Sequence, residues 1–314
     1  MDVSLICPCY NSLSSLPRLL SSFKNQDYPG SKEILFLVDP SQDGTEGYLK
    51  KEENAEIKAF FNEQRIGIAP CRELGIEKAA GKFIGFVDAD DYLEPAFLSS
   101  MVGAMEKEGA DACDCSFYVK EEKREFVYPF RGAGAVLSRK KALKRLLNDA
   151  SMRGFLWCKM FRREVLWEGP SISLPKNHLF EDMAFCFASF SKCAKVVCLS
   201  KPLYHYSKEA SSSATSRKNP NRAQEHLESF AAMRAYADRF GDPTLQKVFR
   251  SSKARSALSL RFDLRLSKKD GLSKGEAKRI KREFSLLYKK KNPDFSRGSC
   301  ANLVSVSLKE GKRG

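Results

Sequence analysis

Three carboxylates crowd four positions in "FIGFVDADDYLEPAF", where Asp88, Asp90 and Asp91 follow an apolar run. An Asp-x-Asp pair suits a divalent cation such as Mg²⁺ or Mn²⁺, because these ions prefer oxygen ligands and commonly share their shell with substrate phosphates. Acidic clusters in turns are more often solvated caps, and Asp91 stands where it would cap the segment that follows. The apolar run argues for a different role at Asp88 and Asp90, since it reads as a buried strand delivering both to a sheet edge. Another acid, Asp39, ends a second such run, "EILFLVD". In parallel sheets covered by helices, ligands bind outside the carboxyl ends of the strands, which is where these acids stand.

The elements needed to hold them there are legible around them. "VSLICP", "EILFLVD", "AEIKAFFN" and "KFIGFVD" read as strands. Between and after them run helical patterns: "SSLPRLLSSFKNQ" with Leu16, Leu19, Leu20 and Phe23 at helical spacing, "CRELGIEKAAG" closed by Gly81, and "EPAFLSSMVGAMEKEG" with Pro95 in its first turn and Gly109 at its end. Apolar strands alternating with helices predict an α/β fold with a mostly parallel sheet covered on both faces. From residue 111, "DACDCSFYV" and "REFVYPF" follow one another without a crossover helix, so part of the sheet is expected to be antiparallel. "SRKKALKRLLND" and "EDMAFCFASFSK" are helical, and "KVVCLS" is a further strand.

The polar stretch 209–222, "EASSSATSRKNPNR", marks a loop and divides the chain into residues 1–215 and 216–314. The second part reads as helices in a basic surround, with Ile280, Phe284 and Leu287 on one face and a tail after about residue 292 that is a candidate for disorder. Of the 314 residues 42% are apolar, and the whole net charge of +15 lies in the second part, where 25 Lys and Arg face 10 Asp and Glu. Basic helices with apolar faces fit an anionic membrane surface, or a bundle packed on the first part. Nucleic acid is a weaker expectation, because no zinc finger, helix-turn-helix or aromatic RNA-binding strand accompanies the charge.

Ten cysteines are scattered without a Cys-x-x-Cys pair, which points to reduced, buried thiols rather than a zinc site or disulfide framework. No apolar run approaches the roughly 18 residues of a membrane span, and no leader pattern precedes the first strand. A cytoplasmic protein is expected, at most peripheral at the inner face of the cell membrane.

"VSLICPCYN", "EILFLVDPSQDGT", "RIGIAPCRELGIEKAAGKFIGFVDADD" and "FEDMAF", in this order and at these spacings, resemble the family 2 glycosyltransferases over about residues 1–215. The resemblance implies a GT-A nucleotide-sugar-binding fold and an inverting transfer of sugar from a nucleotide-diphosphate donor, often a UDP-sugar, to an acceptor hydroxyl. It implies a bound Mn²⁺ or Mg²⁺, and a saccharide or lipid-linked acceptor in cell-surface polysaccharide or glycoconjugate synthesis. Position by position, Pro8, Tyr10 and Asn11 match the loop bordering the nucleotide, and Asp39 the acid that contacts the base. Asp88 matches the donor-side acid and Asp90 the metal-binding one, while Arg72 matches an arginine common in the segment before that strand; its charge could help the metal neutralise the diphosphate. Asp182 matches the catalytic base.

Three departures accompany these matches: Val38 precedes Asp39 where the family often has a second acid, Pro40 follows Asp39 where it often has glycine, and Glu73 follows Arg72 where it often has asparagine. Glu181 is an alternative base or acceptor contact. Adjacent helical residues point about 100° apart, so one of the two acids is expected to face the site. His205 is a candidate metal or phosphate contact and Trp157 a candidate acceptor platform. Lys159 and Arg162 are candidates for an acceptor phosphate, or ordinary solvated charges. The rival chemistry, a nucleotidyltransferase, would want a glycine-rich basic loop that "CPCYNSLSSLP" does not supply; a non-catalytic nucleotide-sugar-binding protein is the other alternative.

Overall fold

The computed structural model describes residues 1–122, 124–128, 134–148, 152–167, 179–208 and 218–289. Its first half runs β1 (Val3–Cys9), α1 (Leu16–Lys24), β2 (Lys32–Val38), α2 (Thr45–Glu52), β3 (Ile57–Phe61), α3 (Ile68–Lys78), β4 (Phe83–Phe86), β5 (Tyr92–Leu93) and α4 (Phe97–Glu108). It continues through β6 (Ala112–Glu121), β7 (Arg124–Tyr128), β8 (Val136–Ser138), α5 (Arg139–Asn148), β9 (Lys159–Arg162), α6 (Arg163–Trp167), α7 (Glu181–Lys192) and β10 (Lys195–Ser207). Four helices follow: α8 (Arg222–Phe240), α9 (Pro243–Ser251), α10 (Lys253–Lys269) and α11 (Lys274–Leu287). The expected tail after residue 292 and the boundary at 215 lie outside the described residues.

The strands form one mixed sheet in the order β3-β2-β1-β4-β9-β6-β10-β5, with β7 added on β6 and β8 on β10. β3, β2, β1 and β4 are parallel to one another. β9 runs antiparallel between β4 and β6, and β7 pairs antiparallel with β6. Because side chains alternate across a strand, neighbouring residues enter opposite layers. Val3, Leu5 and Cys7 of β1 pack with Leu16, Leu19, Leu20 and Phe23 of α1 and with Met101 of α4. Ile6 points the other way, into a core it shares with Cys71 of α3, Leu143 of α5 and Phe187 of α7. That second core runs on without a break into Phe230 of α8, Phe249 of α9 and Phe284 of α11, so the C-terminal helices pack on the sheet half through α5 and α7.

Gly109 ends α4 in the left-handed conformation as expected, with φ 57°. Gly81 does something else. α3 stops at Lys78 with Ala79 extended, and a Cβ on Gly81 would lie 2.5 Å from the Ser4 backbone nitrogen. Its missing side chain lets the chain press against β1, where its N–H donates to Ser4 Oγ at 2.8 Å. The nine described cysteines are all buried free thiols.

Candidate active site

The carboxyl ends of β1, β2 and β4 meet the N-termini of α3 and α7. At β2, Asp39 is 3% exposed and its oxygens accept from Asn62 Nδ2 at 2.9 Å and from the backbone of Ile66 and Gly67 at 3.1 and 2.9 Å. Gly67 precedes α3 with φ 88°, a conformation that favours glycine, and this turns its N–H onto the carboxylate. Asp39 therefore shapes the loop 62–67, a structural duty that sequence reasoning missed because both backbone donors are anonymous in sequence. The same loop lays the Arg65 guanidinium 3.9 Å over the ring of Tyr10, itself 40% exposed. Asn11 sits beside it in the left-handed region at φ 49°, holding Gln42 N through Oδ1 and Ser41 Oγ through its own N–H. Asp43 completes this edge by accepting from Leu13 N and Thr45. Pro8 lies within β1, before this loop.

At β4 the three acids separate into two kinds. Asp91 is fully buried, accepting from Tyr204 Oη at 2.7 Å and Ser207 N at 2.8 Å. The same Tyr204 oxygen accepts from the Asp88 backbone N–H at 3.0 Å, so Asp91 fixes the turn through β10. Asp88 and Asp90 stay partly exposed. Burial pushes the Asp88 carboxyl up to about 6, with Asp182 and Asp90 adding to it and Arg72 opposing. Asp90 is raised in the same direction by burial, and Arg18 bonds its carbonyl oxygen at 2.8 Å rather than its carboxylate.

Arg72 gathers the remaining acids. It is 4% exposed, bonds Asp88 Oδ1 through Nη2 at 3.0 Å, and donates through Nη1 to Glu181 Oε1 at 3.1 Å and to Asp182 Oδ1. Burial works against its charge, but these carboxylates outweigh it and hold the guanidinium protonated. This corrects two expectations. Arg72 organises acids inside the protein instead of presenting itself to a diphosphate. Glu181 and Asp182 also reach the same nitrogen despite their angular offset, because they are the first two residues of α7 and Arg72 lies against the helix end, whose dipole favours acids. Asp182 Oδ2 further accepts from Leu156 N at 3.2 Å, and a small pocket lined by Ala69, Arg72, Leu156, Asp182 and Phe185 opens beside it.

Glu181 is the more buried of the two acids, and its Oε2 has no hydrogen-bond partner. Burial, then the Asp182 charge, push its carboxyl up to about 8 against the pull of Arg72. Between the ordinary 4.5 and about 8 the folded chain thus keeps a proton that the unfolded chain has released. That contribution is fully present below 4.5 and is lost as pH rises through about 8. Thermal melts across this window are expected to show stability falling with pH, and Glu181→Gln to flatten the slope. An unchanged slope would refute a proton on Glu181.

Behind the acid pair stands a second chain of contacts. Phe180, the residue before α7, stacks on His226 of α8 at 4.1 Å, and His226 Nδ1 bonds Asp263 of α10 at 2.6 Å. Asp263 also takes Arg222 Nε at 2.6 Å, and Ser229 Oγ donates to the Phe180 carbonyl at 3.0 Å.

Three further expectations are corrected by burial. His205 is clasped on both ring nitrogens, by Glu94 at 2.6 Å and Glu125 at 2.9 Å, and its faces are covered by Tyr92 and Tyr118, so neither nitrogen is left for a metal. Trp157 is 3% exposed, stacked among Phe155, Tyr204 and Tyr206, which leaves no face for a sugar ring. Lys159 is fully buried on Asp114 at 3.0 Å, while Arg162 Nε bonds the Ala110 carbonyl.

Asp88 and Asp90 supply the hard carboxylate oxygens that Mn²⁺ or Mg²⁺ would need. No group of three or more His, Cys, Asp or Glu placed to hold a metal exists among the described residues. The pair therefore fits an ion whose shell a diphosphate completes, rather than a protein cage.

Comparison with known proteins bears on the family and the fold. The chain is 28% identical over 227 residues to an uncharacterized glycosyltransferase, EpsJ, of Bacillus subtilis, covering 70% of this chain and 62% of that protein. It spans 56% to 62% of the length of the first curated relatives it matches. Among solved structures, S. aureus TarS 1-349 in complex with UDP-GlcNAc overlays with a TM-score of 0.64 at 17% identity, over 92% of this chain and 90% of that one. The mannosyltransferase PcManGT of Pyrobaculum calidifontis, in complex with GDP-Man and Mn²⁺, overlays at 0.55 and 17% identity, over 92% and 81%. These likenesses show a shared GT-A-type fold. The model of glycosyl transferase family 2 matches residues 4–169, from β1 through the acids of β4 to α6, and it is to this family that the chain belongs.

Proposed function

We propose that this chain is an inverting glycosyltransferase, moving a sugar from a nucleotide-diphosphate donor to an acceptor hydroxyl. One observation carries the reading: through Arg72, the Asp88 carboxylate and the Asp182 carboxylate, 94 positions apart in sequence, are brought to one cleft at the sheet edge. Asp88 and Asp90 would hold Mn²⁺ or Mg²⁺, which when bound supplies positive charge against the diphosphate as the glycosidic bond breaks. Asp182 takes the proton of the attacking acceptor hydroxyl, and a single displacement with one base inverts the anomeric carbon. Arg72 fixes the approach of both acids. Tyr10, Asn11 and the loop latched by Asp39 form the wall for the nucleotide, with the Tyr10–Arg65 pair offering a flat edge.

A UDP-sugar is the favoured donor, supported by the TarS complex with UDP-GlcNAc; the GDP-Man complex of PcManGT keeps other nucleotides in the test panel. The product is proposed to enter cell-surface polysaccharide or glycoconjugate synthesis on a saccharide or lipid-linked acceptor, with the basic C-terminal helices facing an anionic membrane. Among the described residues no helix is long and apolar enough to cross a membrane.

The test is hydrolysis and transfer across a panel of nucleotide sugars with Mn²⁺. Asp90→Ala is expected to lower metal-dependent turnover by about 10²–10³-fold, the scale of a Lewis acid's contribution. Binding of a donor without turnover would favour a non-catalytic binding protein, and release of pyrophosphate from a nucleoside triphosphate and a sugar phosphate would favour a nucleotidyltransferase.

A further inference from the structure

The basic excess of the C-terminal third is concentrated unevenly, and α10 is where its arrangement carries information. Six of its seventeen residues are Lys or Arg: Lys253, Arg255, Arg261, Arg265, Lys268 and Lys269. Its one acid, Asp263, is turned inwards onto Arg222 and His226 and is 3% exposed. The outer face therefore carries positive charge without a compensating carboxylate from its own helix. On that face stand Leu258 and Phe262, one turn apart, exposed at 55% and 59%; no large apolar side chain among the described residues is more exposed. The inner face is secured by Leu260 and Leu264, which join the core shared with α8.

We infer that the outer face of α10, with Leu258 and Phe262 flanked by Arg261 and Arg265, is the surface by which the protein docks on an anionic lipid bilayer. The inference deepens the membrane reading above by assigning it to one helix. The chemistry selects the occupant. A helix of about 25 Å lying in the headgroup plane buries its apolar side chains at the acyl boundary while its cations meet lipid phosphates. Nucleic acid would satisfy the charge, but no zinc finger, helix-turn-helix or aromatic RNA-binding strand accompanies it in the sequence. A second copy of the same face would bring like charges together. The inner face adds a geometric consequence, since Asp263 grips His226, which stacks on Phe180 directly before Glu181. The docking helix and the acid pair thus sit on one continuous set of contacts, which sets the cleft at a defined height above the lipid.

The experiment is co-sedimentation of the full chain with phosphatidylcholine vesicles, with and without phosphatidylglycerol, at low and high salt. Binding is expected only with the anionic lipid. Leu258→Ser/Phe262→Ser should weaken it by about ten-fold or more through lost apolar burial. Arg261→Gln/Arg265→Gln should weaken it by about thirty-fold, the scale expected for two cations at a charged surface. Lys278→Gln/Lys281→Gln on α11, which removes equal charge elsewhere, should change it several-fold less. Circular dichroism and soluble-donor hydrolysis, expected unchanged in all three variants, separate loss of docking from loss of fold or chemistry. Equal effects of the α10 and α11 charge pairs would overturn the assignment to α10. So would vesicle binding indifferent to Leu258 and Phe262, binding to an RNA oligonucleotide in place of vesicles, or a dimer that dissociates in the Leu258/Phe262 variant.

Discussion

Asp182→Asn is expected to remain folded and to lose about 10²–10⁴-fold in transfer rate, the range by which a positioned general base accelerates a reaction. The amide keeps the shape of the side chain but offers one acceptor where the carboxylate offers two, to Arg72 and to Leu156 N. Some stability will therefore be lost, and a thermal melt must accompany the kinetics. The loss should fall on kcat, because the base acts as the hydroxyl attacks and contributes little to holding the donor. A general base also leaves an acidic limb in the pH dependence of kcat/KM, which should vanish in the variant. Glu181→Gln is the necessary comparison: its partner groups are similar, yet a carboxyl that keeps its proton near neutral pH is no base there, and a loss within about ten-fold is expected. If the Glu181 variant is the one that fails while Asp182→Asn turns over normally, the roles are reversed.

Lys159→Met is expected to cost about 3–5 kcal/mol of folding stability, the scale for removing one member of a buried ion pair. Its ammonium lies 3.0 Å from Asp114 with both side chains almost wholly inaccessible. Burial alone would lower its pKa, and Asp114 more than reverses this, so the lysine is charged. Removing the cation leaves Asp114 buried without it. Replacing both partners, as Asp114→Leu/Lys159→Met, should recover most of the stability, since paired buried charges often exchange for apolar residues at little net cost. Activity should not recover with it. Lys159 Nζ also donates to the Arg153 and Phe155 carbonyls at 2.7 Å each, shaping the loop whose Leu156 N–H holds Asp182. Urea denaturation with parallel rate measurements separates the two effects. Wild-type stability in the single variant would refute the pair's structural role.

Those two cases mark where sequence reading succeeded and where it failed. Leu16, Leu19, Leu20 and Phe23 announced α1 because a periodicity of 3.6 is a local signal, and all four are buried. The acids at the ends of β2 and β4 were found for a similar reason: each terminates an apolar run that only a covered strand requires. Lys159 reads as an acceptor-phosphate contact or a solvated charge because its partner lies 45 positions away, and β9, four residues containing two cations, carries no strand pattern of its own. Trp157 and His205 failed in the same way. An aromatic or imidazole looks available in sequence until the strands that enclose it are known, here β6, β7 and β10. Asp39 was placed correctly at the sheet edge, but its backbone partners at Ile66 and Gly67 leave no trace in side-chain identity.

The stack of Phe180 on His226, tied to Asp263, bears on how such chains can be recombined. A catalytic half and a set of C-terminal helices look like separable modules when one is neutral and the other basic. Here the residue preceding the acid pair is backed by the second half, with the Phe180 carbonyl held by Ser229 and its ring by His226. Transferred to another chain, residues 1–215 would therefore lose these contacts to Phe180 unless the inner faces of α8 and α10 moved with them. A chimera that keeps Glu181 and Asp182 while importing foreign helices would inherit the acids without the surface that holds Phe180 in place.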